Sequence, residues 1–209
     1  VKTQMKFGLK EKKKIFLVIA AVILMGLSLS FLIRLNFGTD PCSAMNLGIS
    51  RHLHLTFGTW QVLFNLVLFL AVIKYDPSQI GWGTLANMLL VGYSADFFKW
   101  LFDLILPADA FTALGIRIAV LIPSLLLFIV SAAVYMAVEL GSAPYDAIVF
   151  IIASKLKKVP FRLVRIFWDM TACLIGFLLG STIGIVTVMM AFLLGPVITA
   201  VKERINRFL

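Results

Sequence analysis

Few residues in this chain could do chemistry, and most of those come in pairs. Asp40 sits in Phe37-Gly38-Thr39-Asp40-Pro41, and Asp146 closes Gly141-Ser142-Ala143-Pro144-Tyr145-Asp146. A shift of 103 residues carries Gly38 onto Gly141, Ser28 onto Ser131, Ala44 onto Ala147, Gly92 onto Gly195, and Ile80-Gly81-x-x-Thr84 onto Ile183-Gly184-x-x-Thr187. After one inserted residue, Phe57, Gln61 and Asn65 meet Phe161, Arg165 and Asp169. Each glycine–hydroxyl–proline stretch reads as a sharp turn into a helix start. Glycine allows the turn and a close backbone approach, proline suits the first helical position, and Asp40 is a good N-cap. Bare helix starts attract anions. Here Asp40 and Asp146 bring negative charge of their own, which shifts the preference toward a cation, a zwitterion or a proton. Arg165 and Asp169 lie one helical turn apart in an apolar stretch, where ionisable groups usually face a cavity or each other. Their twins Gln61 and Asn65 are polar, so the same face is polar in both copies. The substrate-binding candidates are therefore Gly38, Thr39, Asp40, Gln61, Asn65, Asn87, Gly141, Ser142, Asp146, Arg165 and Asp169, with Arg34, Tyr93, Asp96 and Glu139 as further lining residues. The plainer alternatives are that Asp40 is only a cap, Asp146 only a first-turn acid, and Arg165–Asp169 a self-satisfied pair.

Nothing else suggests catalysis. There is no H-E-x-x-H, no Ser/His/Asp set and no phosphate loop, so no enzyme activity, cofactor or metal is expected. His52 and His54, at i and i+2, face different ways on a helix and make a poor metal pair. Cys42 and Cys173 fall in different repeats and form no C-x-x-C.

The elements that must position these residues are membrane helices. The chain has 209 residues, 61% of them hydrophobic and 14% charged, with mean hydropathy +1.03. A soluble domain is about 45–50% apolar and about 25% charged. The net charge of +9 is no nucleic-acid signature, because 14 of the 19 basic residues fall in three clusters, at 2–14, 155–165 and 202–207, that flank apolar runs. That is the positive-inside pattern. The reading is an all-α membrane protein of two repeats of about 100 residues. Residues 1–14 form a cytoplasmic basic tail, 15–106 repeat 1, 107–117 a linker, 118–201 repeat 2 and 202–209 a cytoplasmic tail. Residues 15–33 could mimic a signal peptide, but Ser28 and Gly38 have partners in mid-chain, which argues for a retained first span. Spans are expected at 15–33, 60–73, 85–98, 118–138, 163–179 and 183–201. Residues 99–106 extend the third, with Lys99 and Asp103 as an i,i+4 pair. The run Gly176-x-x-x-Gly180-x-x-x-Gly184 is expected to bring helices close together.

Two topologies remain. If residues 41–55 and 144–156 dip in and return, there are six transmembrane helices plus two re-entrant half-helices, and three spans per repeat make the repeats inverted. If both segments cross, there are eight spans and parallel repeats. Charge placement mildly favours eight. The polarity and shortness of 41–55 favour six, and six is the preferred topology.

Leu35-Asn36-Phe37-Gly38-Thr39-Asp40-Pro41, Phe57-Gly58-Thr59-Trp60-Gln61, the run from Gly83 to Phe98 and Leu140-Gly141-x-x-Pro144-Tyr145-Asp146-Ala147 resemble the YitT/YczE-type family of bacterial integral membrane proteins. The resemblance covers nearly the whole chain. It implies a multi-pass protein of the bacterial cytoplasmic membrane and supplies no substrate and no site residues. The leading functional expectation is a small secondary transporter or exporter of a small solute, with a midplane site between the repeats. A narrow ion or solute channel lined by opposed half-helices and a non-transporting membrane assembly factor are the alternatives. The bilayer is the expected partner, with both termini cytoplasmic, and six short spans around a cavity would suit a homodimer.

Overall fold

The structure, a computed structural model, describes residues 9–107 and 109–205. The rest of the expected tails, residues 1–8 and 206–209, lie outside the described residues. The described residues form eight α-helices and one 3-10 turn, and no strand is found among them: α1 (Leu9–Leu35), α2 (Pro41–His52), α3 (Phe57–Tyr75), the turn Pro77–Gln79, α4 (Trp82–Ile105), α5 (Leu114–Ala137), α6 (Pro144–Lys155), α7 (Phe161–Leu178) and α8 (Ile185–Ile205). Residues 9–14 of the expected tail and 114–117 of the expected linker are helical. Three helices are long and apolar enough to cross a bilayer, within Glu11–Leu35, Phe57–Tyr75 and Leu114–Ala137. α8 makes a fourth if its two arms, bent by 58°, count as one span. The bend falls beside Pro196, whose ring and missing N–H break the helical ladder. α7 carries Arg162, Arg165 and Asp169 among its 18 residues.

α1 is the central post. Val18, Val22, Leu29, Leu32 and Leu35 are fully buried, and the helix packs against α4 on one side and α5 on the other. Gly26 meets Val91 and Ser94 of α4, and nearer their ends Arg34 is ion-paired with Asp103, so α1 and α4 run parallel. That pairing corrects the expectation for Asp103: it holds Arg34 across the interface rather than Lys99 one turn back. A cross-helix guanidinium can approach end-on, whereas an i,i+4 pair on a solvated surface is worth only a few tenths of a kcal/mol.

The two short helices share one design. Each has 12 residues and starts with Pro. Each begins among buried residues and ends exposed, α2 at Arg51-His52 and α6 at Ser154-Lys155. α2 lies along α7, with Ala44 against Gly176 and Gly48 against Leu179, so the two run parallel. α6 lies along α3, sharing a core of Val72, Ala147 and Ile151, and Lys155 sits over the Tyr75 ring at 3.8 Å.

The turns that feed these helices are also alike, and each docks on the other half of the chain. Asn36 and Gly38 have φ of 58° and 97°, and Glu139 and Gly141 have 56° and 105°. Leu140 O accepts from Gly83 N at 2.7 Å, and Phe37 O accepts from Val186 N at 3.2 Å. Ser142 Oγ donates to Gln79 Oε1 at 3.0 Å, and Thr182 Oγ1 donates to Asn36 Oδ1 at 2.6 Å. A Cβ on Gly38 would collide with Thr187 Oγ1, and one on Gly141 with Thr84 Oγ1. These two glycines therefore have two reasons to be glycine: the left-handed backbone and the crossing chain.

The glycine run at 176–184 does not lie on one helix. Gly176 sits on α7 against α2, Gly180 has φ of 73° just past the helix end, and Gly184 approaches the Phe37 carbonyl. A left-handed glycine at that position terminates the helix, so only Gly176 serves helix–helix packing.

Candidate functional site

Residue types and helix geometry build the site from α7 outward. Arg165 and Asp169 are four apart and so share one face. Arg165 Nε donates to Asp169 Oδ2 at 2.8 Å, and its Nη1 donates to Asp146 on the first turn of α6. The guanidinium thus bridges two carboxylates from different elements, the forked geometry that suits arginine and not lysine. Tyr145 precedes Asp146 and donates its hydroxyl to Asp169 Oδ1 at 2.8 Å, so both oxygens of that carboxylate are engaged. The Tyr145 ring lies 5.4 Å from the guanidinium carbon and 5.6 Å from the Trp168 ring. The Asp169 side chain is 4% exposed, whereas Arg165 and Asp146 are 26% and 29% exposed. The cluster is therefore sealed at Asp169 and open on the Asp146 side.

The start of α2 completes it. Asp40 is buried and accepts from Ser43 N at 3.0 Å through Oδ2, the N-cap bond foreseen in the sequence. Its other oxygen, Oδ1, is buried without a partner. Asp40 lies within electrostatic reach of Arg165 and Asp146. Cys42, two residues on, packs in the same core as Tyr145, Met45, Ala172 and Trp168, and accepts from Asn46 Nδ2 at 3.4 Å. Two carboxylates thus hold one guanidinium, and the buried Asp40 carboxylate lies within electrostatic reach of it.

The other expected site residues are placed differently. Gly38, Gly141 and Ser142 are committed to the docking turns described above. Thr39 Oγ1 donates to the Asp40 carbonyl at 3.4 Å. Gln61 is buried on α3 with its Oε1 unpartnered, close to Gly92 of α4. Asn65 and Asn87 are buried on α3 and α4, and no hydrogen bond joins Gln61, Asn65 or Asn87 to the cluster. Of the further candidates, Asp96 accepts from Gly58 N at 2.7 Å, capping the start of α3 from α4. Sequence reasoning missed Tyr145 and Trp168. The available signal was a tyrosine beside an acid inside an apolar stretch, since a buried tyrosine hydroxyl needs a partner.

Helices this apolar, with charge gathered at the starts of short helices, define an all-helical membrane protein. The chain belongs to a family of unknown function (DUF6198), whose model matches residues 12–203. It is similar to an uncharacterized protein of Haemophilus influenzae, 26% identical over 188 residues, covering 90% of this chain and 83% of that one. It is also similar to the uncharacterized membrane protein YczE of Bacillus subtilis, 27% identical over 161 residues, covering 77% of this chain and 72% of the relative. A third similar protein is the uncharacterized protein YyaS of Bacillus subtilis, 25% identical over 140 residues, covering 66% of this chain and 67% of that one. The YczE-type resemblance carried by the sequence motifs therefore holds. No solved structure matches the chain.

Proposed function

We propose that this protein is a small secondary transporter of the bacterial cytoplasmic membrane, moving a cationic solute or coupling a solute to protons at the Asp40–Asp146–Arg165–Asp169 cluster. One observation carries the reading: two short helices with buried starts carry acids there, Asp146 paired with the half-buried Arg165 and Asp40 buried with one oxygen unpartnered. Paired broken elements meeting in the protein interior are where transporter folds bind their substrates. Three carboxylates against one guanidinium leave an excess of negative charge that a bound cation or protons would balance.

The architecture proposed with it is two inverted repeats, with six transmembrane helices and α2 and α6 as re-entrant half-helices. The matched turn dihedrals and the reciprocal contacts of Phe37 with Val186 and of Leu140 with Gly83 support it. So do the parallel pairings of α2 with α7 and of α6 with α3. Both termini would then be cytoplasmic.

Flux into proteoliposomes tests the function. Saturable, gradient-coupled uptake of a cation, or proton movement coupled to a solute, is expected, and the activity should fall at least about tenfold with Asp40→Asn, which keeps the helix cap. Unitary conductance steps without saturation would turn the reading to a channel. Single cysteines at Ser78 and Asp109, in a background lacking Cys42 and Cys173, test the topology. An impermeant thiol reagent on intact cells should label position 109 and spare 78, and the reverse labelling would sink the inverted arrangement.

A further inference from the structure

The shared end of α3 and α6 carries a basic surface that the charged cluster does not use. Lys74 is in the last turn of α3 and Lys155 in the last turn of α6. Both ammoniums lie over the ring of Tyr75, at 5.4 Å and 3.8 Å from its centroid. The chain then turns sharply. Val159 N donates to Leu156 O at 2.8 Å, which sets Lys157 and Lys158 at the corner of the turn. Phe150 stacks on Phe161 at 5.0 Å and ties the start of α7 back to α6, and Arg162 follows in the first turn of α7. All five basic residues are exposed, and among the described residues none of them enters an ion pair. Asp76, next to Tyr75, gives its carboxylate to Ser78 and Gln79.

Like charges held this close without a counterion call for an anion. Topology signals need only basic residues in the flanking segments. They do not require lysines from the two halves to meet over one ring. A tyrosine face attracts each ammonium but leaves both charges in place. The helix dipole favours Lys74 and Lys155 at helix ends and opposes Arg162 at a helix start, so helix stability does not account for the arginine. Leu156, Val159 and Phe161 stand exposed among the basic residues. We infer that this end of the bundle binds an anionic phospholipid, its headgroup phosphate held by Lys74, Lys155, Lys157, Lys158 and Arg162. Clusters of basic residues beside membrane helices attract anionic headgroups, and charged lysine and arginine make strong hydrogen bonds to phosphate oxygens. The exposed apolar side chains fit the glycerol and upper acyl region of a lipid and would be out of place against a soluble acidic partner. The inference stands apart from the transporter reading.

Spin-labelled lipids test this with the full chain in phosphatidylcholine bilayers. The fraction of label immobilised by the protein compares spin-labelled phosphatidylglycerol with spin-labelled phosphatidylcholine. At low salt phosphatidylglycerol is expected to associate at least about fivefold more strongly, the attraction of one basic residue near the surface, and high salt should shrink the ratio. The triple change Lys155→Gln, Lys157→Gln and Lys158→Gln should abolish most of the preference. Lys74→Gln, in the other half of the chain, should remove part of it. Lys12→Gln, Lys13→Gln and Lys14→Gln together remove the same charge elsewhere and should lower the ratio much less. Equal association of the two lipids, a ratio untouched by the change at 155–158, or an equal fall with the change at 12–14 would overturn the inference. So would displacement of the labelled lipid by glycerol phosphate at constant ionic strength, which would make the ligand a soluble phosphate.

Discussion

The starts of α2 and α6 are built on the same backbone and carry different chemistry. Both follow a left-handed residue and a left-handed glycine, both open with proline, and both dock on a turn from the opposite half. At α2 the acid is the N-cap itself: Asp40 uses one oxygen on Ser43 and keeps the other free. At α6 there is no side-chain cap, and the acid, Asp146, is given to Arg165. The helices that follow diverge in the same way: α3 presents Gln61 and Asn65 where α7 presents Arg165 and Asp169. Like turn geometry with charge concentrated in one half would suit the single off-centre site proposed above. The first half supplies an unsatisfied carboxylate, and the second supplies the fixed pair that holds it in a charged environment.

The largest expected effect breaks this asymmetry at its fixed end. Arg165→Ala leaves Asp169 buried with an uncompensated charge and should cost about 3–5 kcal/mol, read as loss of folded protein or a large fall in thermal midpoint. The double change Arg165→Gln with Asp169→Asn makes the second half resemble the first and should restore most of that stability without restoring activity. If Arg165→Ala melts like the wild type, the cluster is open to solvent and the comparison fails.

A middle-sized effect tests the shared backbone. Gly38→Ala and Gly141→Ala each place a side chain in a left-handed conformation against the opposite half. Each should destabilise by about 1–3 kcal/mol, and the two by similar amounts. A marked difference in denaturation midpoint between them would mean that the turns are alike in shape but not in load.

The smallest effects lie at the caps and at the linking turns. Asp40→Ala should cost about 1 kcal/mol more than Asp40→Asn, since only asparagine preserves the cap. After α3, the link is made by Asp76 and the turn Pro77–Gln79, and after α7 by Gly180. Hydrogen bonds from the Ser78 hydroxyl and Gln79 hold the Asp76 carboxyl below the ordinary carboxylate range. A carboxyl lowered in this way stabilises the fold above its unfolded value, about 3.9, and that contribution is lost as pH falls through the lower folded value. Asp76 should therefore make a slight contribution at neutral pH that disappears only in strong acid, and Asp76→Ala should abolish that small acid dependence in a thermal melt. The second half, linked by glycine, offers no counterpart.

Much of this was legible in the chain because it follows from local chemistry repeated at a fixed distance. An apolar composition with almost no strand-like alternation points to helices, since in lipid only helices and closed barrels satisfy their backbone groups. The 103-residue shift located both docking turns, and the Asp40-Pro41 pair announced the α2 start and its cap. The i,i+4 spacing of Arg165 and Asp169 put them on one face before any partner was known. What tertiary structure decided is which partners those groups meet. Gly38 and Gly141 are held by Thr187 and Thr84 of the opposite halves, contacts between residues far apart along the chain. Asp103 chose Arg34 over its own helix neighbour. The helix end before Gly180, close to where the span was expected to stop, splits the glycine run that the spacing offered for packing. Asp146 was brought to Arg165, and Tyr145 to Asp169, because α6 folds back along α3 and delivers its first turn to α7. Sequence periodicity reports which face a residue occupies. The packing of separate helices alone determines what stands opposite that face.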